Sequence, residues 1–495
     1  MSRRALAAVV LIAGLAGCSS DDASTNSTPA PGQDSGTDAV GTDAGGAAGD
    51  GATAKDGSQD GPKPEGGAGK DGGGGQGGAP DGGDAATEAE ADAPAGPPTV
   101  LFPRTSIEAS ELAILVNDDD PQSVAVADYY QKARGVPPAN VIHVKAPLAN
   151  NWPQADFIAA KVQVDSTVPA GVQAYAISWT KPYLVDCMSV VSAFALGFDT
   201  KYCNTKGGCQ PTAAVDYYDS DSTHPFTDHQ IRPAMMLVGA DTDKSKAVID
   251  KGAAADATFP TGDGYFLRTT DTARSVRYPD FQSTVQEWTH ADGLTLQYLD
   301  NSGGTGSNVI ENKSNVLFYL TGLASVPSID TLQYLPGAVA DHLTSYGGQV
   351  PTSGQMSIAK WLEAGATASF GTVVEPCNYQ QKFPVASKLL HHYFRGETIL
   401  EAYWKSVHWP GEGNFAGEPL AKPWGSKASF AADTLTIETT ILRPNVTYEL
   451  RSAPAATGPW TVVVAGIVVT QYQFKTITHQ PATAAFYKLV EAGQP

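Results

Sequence analysis

From Glu111 onward the chain alternates short apolar runs with longer segments of helical spacing, the pattern of a mostly parallel sheet flanked by helices. The run ELAILVN (111–117) predicts a first strand. Asp120-Pro121 then supplies an N-cap and a first-turn proline for SVAVADYYQKAR, which Gly135 and Pro137 stop before the next strand, NVIHV (140–144). The same reading predicts strands at 174–179, 235–239, 294–299, 316–320, 338–341 and 367–374. Helices are predicted over 154–165, 244–256, 278–290, 355–364 and 384–407, the last broken near Gly396. From residue 428 the pattern changes. TLTIETTIL, VTYELRSA, WTVVVAGIVVT, YQFKTIT and AFYKLV are separated by turn signals with no helical segment, which predicts a small antiparallel β-sandwich over 428–495.

Ahead of the core (98–427) the chemistry is different. Residues 19–97 are almost entirely Gly, Ala, Asp, Ser, Thr and Pro, with too little apolar surface to offset the entropy of ordering, so a flexible tether is expected. The first 18 residues, MSRRALAAVVLIAGLAGC, carry two arginines, an apolar core too short for an ordinary span, and Leu15-Ala-Gly-Cys18. That layout resembles a bacterial lipoprotein signal, which implies a lipid on Cys18 and attachment to a membrane. Ser19, where an aspartate would favour the inner membrane, points to the outer membrane or cell surface. Of the net charge of −20, the tether holds −12 (15 acidic and 3 basic residues) and the signal +2, leaving −10 on the rest. No basic cluster remains, which argues against nucleic acid as a partner and leaves an extracellular or periplasmic ligand.

Four further cysteines, Cys187, Cys203, Cys209 and Cys377, allow three pairings in an oxidising compartment. Cys203 and Cys209 bracket the tight loop NTKGG, so a local bridge between them is the first expectation, with Cys187 left for Cys377. Zinc ranks lower, since it favours closer CxxC spacing with histidine.

Ligands of open parallel sheets bind beyond the carboxyl ends of strands. Polar groups follow six of the predicted strands, among them Asn117 and Asp118, Asp241, Thr321, Asp341 with His342, and Glu375. His342 and Glu375 are the first candidates for a general-base pair, with Asp341 beside them. Asp341, His342, Glu375 and Asp241 also have the donor chemistry of a divalent-metal site, whereas capping by Asp341 and His342 is the structural alternative. No GxSxG, HExxH or Walker-type loop occurs, and GDG (262–264) and GGTG (303–306) read as isolated glycine turns. The aromatic stretch AYWKSVHWPGEGNF raises carbohydrate binding, although aromatics at helical spacing are more often core.

Two resemblances follow from these residues. VNDDDPQSVAVADYYQKARGVPPANVI, ISWTKPY, MLVGADTD, YLTGLASVP, PGAVADHLTSYGG, AGATASFGTVVEPC and GEPLAKPW together resemble a family of exported bacterial proteins of unknown function. More distantly, the order YLTG, PGAVAD, AGATASFGTV, LLHHYFRGETILEAYWKSV and GEPL is similar to gingipain-type cysteine peptidases, which implies a caspase-like fold. The strand that should end in the catalytic histidine ends here in Thr321-Gly322-Leu323. The strand that should end in cysteine offers Ala340-Asp341-His342. YELRSA with GPWTVVV and FYKLV is similar to small fibronectin-like modules. The expectation is a surface-anchored binding or scaffold protein on a peptidase-like core; the alternative is a hydrolase built around Asp341, His342 and Glu375. Replacing Cys18 by alanine is expected to move the protein from the membrane pellet to the soluble fraction. An unchanged distribution after ultracentrifugation would remove the anchor.

Overall fold

The apolar runs pair into one ten-stranded sheet. In a computed structural model, which describes residues 96–289 and 293–494, its strands in chain order are β1 (Leu112–Asn117), β2 (Val141–Val144), β3 (Ala174–Ile177), β4 (Ala234–Met236), β5 (Gly262–Arg268), β6 (Leu294–Asp300), β7 (Val316–Gly322), β8 (Tyr334–Leu343), β9 (Ala368–Thr372) and β10 (Gly413–Gly417). The signal, Cys18 and nearly all of the tether lie outside the described residues. Across the sheet the order is β6-β5-β7-β8-β9-β10-β4-β3-β1-β2. Each half therefore repeats one winding, in which the second strand lies on one side of the first and the third and fourth on the other. Strands pair in parallel within each half, whereas β10 runs antiparallel to β9.

Hydrogen bonds fix how the halves are aligned. Ser189, beyond the end of β3, donates to the Gly413 carbonyl at the start of β10, and the Asn414 amide donates to Tyr183 beyond β3 and Gly348 beyond β8. The carboxyl ends of both halves thus share one edge of the sheet. Strands β1 and β7 are buried along their whole length, as expected where helices cover both faces of a parallel sheet. The helix Pro121–Arg134 packs on Thr242–Ala253, and Tyr278–Glu287, Ala386–Phe394 and Ile399–Ser406 pack in succession. The first begins and ends as its sequence predicts, with the Asp120 carboxylate accepting from the Gln122 amide and Gly135 in the left-handed region.

Four elements depart from expectation. The GDG turn opens strand β5 instead. A Cβ on Gly262 would lie 2.7 Å from the Asn315 carbonyl, and one on Gly264 2.5 Å from Leu296, so these glycines serve close strand packing. The helix expected from 355 starts only at Ala359, because Gln355 is bound to the Ser345 amide (2.9 Å) and Met356 to the Ala324 carbonyl. Strand β10 and the helix Val190–Leu196 were not predicted.

After β10 the chain forms two small sheets around a core of its own, including Leu435, Ile437, Tyr448, Leu450, Tyr487 and Leu489. One has three antiparallel strands, Ser426–Ala431, Thr434–Thr439 and Lys475–His479. The other joins Tyr448–Ala453, Thr461–Ile467 and Phe486–Glu491 to Thr99–Leu101, which pairs in parallel with Phe486–Lys488. The start of the described chain therefore belongs to a sheet built from its far end.

One buried cation staples the large sheet to its helices. Arg277 donates from Nη2 to the Thr321 carbonyl (2.8 Å) and to Asp341 Oδ1 (2.7 Å), and from Nη1 to the Pro384 carbonyl (3.4 Å). Its side chain is 3% exposed and that of Asp341 1%. Arg277→Met leaves a buried carboxylate unpaired and is expected to cost about 3–5 kcal/mol in urea unfolding, of which the added change Asp341→Leu should restore a large part. No recovery in the double variant would assign the cost to the two lost carbonyl contacts.

Candidate functional site

In a wound α/β sheet the natural binding crevice lies where the winding reverses, which here means between β1 and β3 and again between β5 and β7. Both are closed from within. In the first, the Asn117 amide donates to Ser123 Oγ (2.9 Å), and that hydroxyl pairs with Ser178 Oγ (2.7 Å). The Asn117 side chain is spent on Ala146, donating to its carbonyl (3.1 Å) and accepting from its amide (3.0 Å). In the second, the Thr269 amide donates to Ser275 Oγ (3.0 Å), and Thr269 Oγ1 donates to the Gly322 carbonyl (2.7 Å). A Cβ on Gly322 would fall 2.0 Å from the Arg274 carbonyl, so only glycine allows this closure. The two halves thus repeat one device, a strand-end amide tied to a serine hydroxyl six residues on.

The remaining predicted groups are dispersed along the same edge. Asp118 pairs with exposed His143 (2.6 Å), and Asp241 caps Thr242–Ala253 by accepting from the Lys244 amide (2.8 Å). Thr321 donates to the Leu267 carbonyl (3.2 Å) while its own carbonyl takes Arg277. Five strand intervals separate β1 from β8, roughly 24 Å at the usual spacing, so Asn117 and His342 do not share a site. His342 and Glu375 do not form the expected dyad. The Trp361 indole N–H donates to His342 Nδ1 (2.9 Å), and Glu375 Oε1 accepts from the Cys377 amide (2.8 Å). With Nδ1 occupied, the ring proton resides on Nε2, which leaves no free lone pair to act as a base. Burial holds His342 far below the usual imidazole range, at about 3, with Arg277 adding to the depression. Burial raises the Asp341 carboxyl against the opposing pull of Arg277. Among the described residues no group of three His, Cys, Asp or Glu side chains is placed to hold a metal ion.

The cysteine expectation is overturned. Cys187 bonds Cys203, and Cys209 bonds Cys377, with Cα separations of 5.5 Å in each pair. The short turn Thr200–Tyr202, capped by Asp199, carries Cys203 into the core. Asn204 then receives the Lys206 amide in a tight turn that leaves Cys209 exposed on the way to Cys377. Cys377 is therefore a structural half-cystine. Beneath this loop Lys382 and Glu412 form a fully buried ion pair (2.8 Å), and Glu412 Oε1 accepts from the Asn204 amide (2.8 Å).

Beyond β7 and β8 the edge does open. A cleft of about 600 Å³ lies between the segment 325–330 and residues 351–364, within the usual size range of ligand sites. Val326, Pro327, Ile329, Pro351 and Met356 supply apolar walls, and Asp330, Lys360 and Glu363 bring charge. Sequence reasoning missed this cleft, Arg277 and Trp361. The paired closures had a readable signal, since N-D-D-D-P-Q-S (117–123) and T-T-D-T-A-R-S (269–275) share Asp at the third place and Ser at the seventh.

No family model, curated protein or solved structure matches the chain. Among the described residues no helix is long and apolar enough to cross a membrane.

A ring kept neutral to about pH 3 when folded, but protonating near 6.5 when unfolded, gives stability that is complete above pH 6.5 and withdrawn as pH falls toward 3. The wild type is expected to lose about 2 kcal/mol through this group between pH 7 and pH 5. His342→Asn, which keeps an acceptor for Trp361, should lack that loss when urea unfolding is compared at the two pH values.

Proposed function

We propose that this protein is a lipid-anchored, surface-exposed binding protein whose α/β core is caspase-like, related to the gingipain type, and performs no peptidase chemistry. The observation that carries the reading is the fate of the strand ends that match the peptidase dyad. Thr321, Asp341 and His342 are each 1% exposed, and each is committed to an internal partner, Leu267, Arg277 and Trp361 respectively. A nucleophile or base at these positions would have to reach a substrate through packed protein. The end of the sheet that supplies chemistry in the resembled enzymes serves here as a sealed floor for the neighbouring loops.

The ligand assigned to the open cleft is an extended peptide segment with apolar side chains. Its walls are largely apolar, and the three charged residues around it, Asp330, Lys360 and Glu363, include both signs. Such a lining favours burial of one or two apolar side chains. The fibronectin-like reading of the last strands and the anchor on Cys18 fit presentation of this surface away from a membrane.

The test is a panel of fluorogenic peptides and esters, with and without added divalent metal, run beside a peptide-array binding screen. Binding of apolar peptides that Ala364→Trp abolishes by filling the cleft, with no turnover above buffer, is the expected result. Turnover that His342→Asn removes without lowering the melting temperature would sink the proposal and favour the hydrolase around Asp341, His342 and Glu375.

A further inference from the structure

We infer that a second binding surface, on a row of aromatic rings at the carboxyl edge of the sheet, takes a neutral polysaccharide. Three distant chain segments build the row. Tyr218 lies against His408 with ring centroids 4.8 Å apart, His408 is followed by Trp409 at 6.2 Å, and Trp409 meets Tyr379 at 5.7 Å. Backbone bonds hold the segments in line, the Val215 amide to the His408 carbonyl (3.2 Å) and the Trp409 amide to the Gln381 carbonyl (2.8 Å). Lys382 Nζ stands over the Tyr379 ring at 5.6 Å, and all four residues of the row are half-buried. This sets them apart from Tyr403 and Trp404 of the same sequence stretch, which are fully buried core residues.

The polar atoms of the row are uncommitted. Among the described residues the indole N–H of Trp409 and the hydroxyls of Tyr218 and Tyr379 have no hydrogen-bond partner. Beside Tyr218, Asp219 and Lys388 form a partly exposed ion pair (2.6 Å), which adds an acceptor and a donor at one end. A pyranose ring matches this combination in both respects. Its axial C–H bonds present weakly positive hydrogens to the negative faces of aromatic rings, and its hydroxyls, arranged around the rim, both donate and accept. The row is longer than one ring, which suits a chain of sugars better than a single residue.

Charge excludes the other polymer that stacks on aromatic rows. Single-stranded nucleic acid needs a basic groove alongside the rings, whereas the cations beside them, Lys382 over Tyr379 and Lys388 next to Tyr218, are each paired with a carboxylate, Glu412 and Asp219, and the chain after the tether carries −10. The same argument disfavours strongly acidic polysaccharides. This surface is independent of the peptide cleft, and nothing in it requires the core to be catalytically silent.

The experiment is native electrophoresis of the full chain through gels containing soluble β-glucan, xylan, galactomannan or α-glucan, with pull-downs on insoluble cellulose and chitin. Retention by at least one of these is expected, lost in Trp409→Ala, weakened in Tyr379→Ala and partly restored in Trp409→Phe, with Ala364→Trp in the cleft unaffected. Melting temperatures of the variants separate lost binding from lost folding. Absence of retention by all six polymers overturns the inference, as does undiminished retention of a folded Trp409→Ala protein.

Discussion

The contact on which the large sheet most depends is the buried pairing of Arg277 with Asp341. A guanidinium is always charged, and removing it from water is costly unless every N–H finds an acceptor in good geometry. Here it gathers the carbonyl ending β7, the carboxylate near the end of β8 and the carbonyl preceding the helix Ala386–Phe394, while its Nε–H has no acceptor among the described residues. Three elements that the chain makes at different times are thereby brought to one point. The carboxylate is held there with its second oxygen lacking a partner among the described residues, a cost that a purely structural core would not need to carry. The arrangement converts a strand end that could have held reacting groups into a fixed corner.

The same logic recurs across the edge. Asn117 with Ser123 and Thr269 with Ser275 each close, by internal hydrogen bonding, a place where wound sheets elsewhere take ligands, and Lys382 with Glu412 forms a buried ion pair beneath the disulfide loop. Polar closure differs from apolar filling in one respect. It fixes orientation as well as occupancy, because hydroxyls and amides bond in definite directions. The edge that results is polar in composition and closed in structure, and the open cleft lies among the loops beyond it.

How far this was legible from sequence depends on the range of the forces involved. Local rules located most strands and helices, since Asp120-Pro121, Gly135 and the apolar runs act within a few residues of themselves. The turn assigned to GDG failed because the reason for those glycines is Leu296 and Asn315, which no local pattern reveals. The candidate dyad failed for a similar cause. Proximity of strand ends in the sequence list says nothing of which lie beside one another, and His342 proved to be answered by Trp361 rather than Glu375. Cysteine spacing misled because the turn after Cys203 reverses the chain, sending Cys209 toward a residue 168 positions away.

The parallel pairing of Thr99–Leu101 with Phe486–Lys488 bears on the order in which the protein can be assembled. A chain made from its N-terminus presents Thr99–Leu101 long before Phe486–Lys488, its neighbour in the sheet. Phe486–Glu491 also lies between that strand and Tyr448–Ala453, so the sheet has a gap at its centre until this final strand is inserted. Completion of this sheet therefore waits for Phe486–Glu491, and until that segment is made the early strand has only water for its backbone donors.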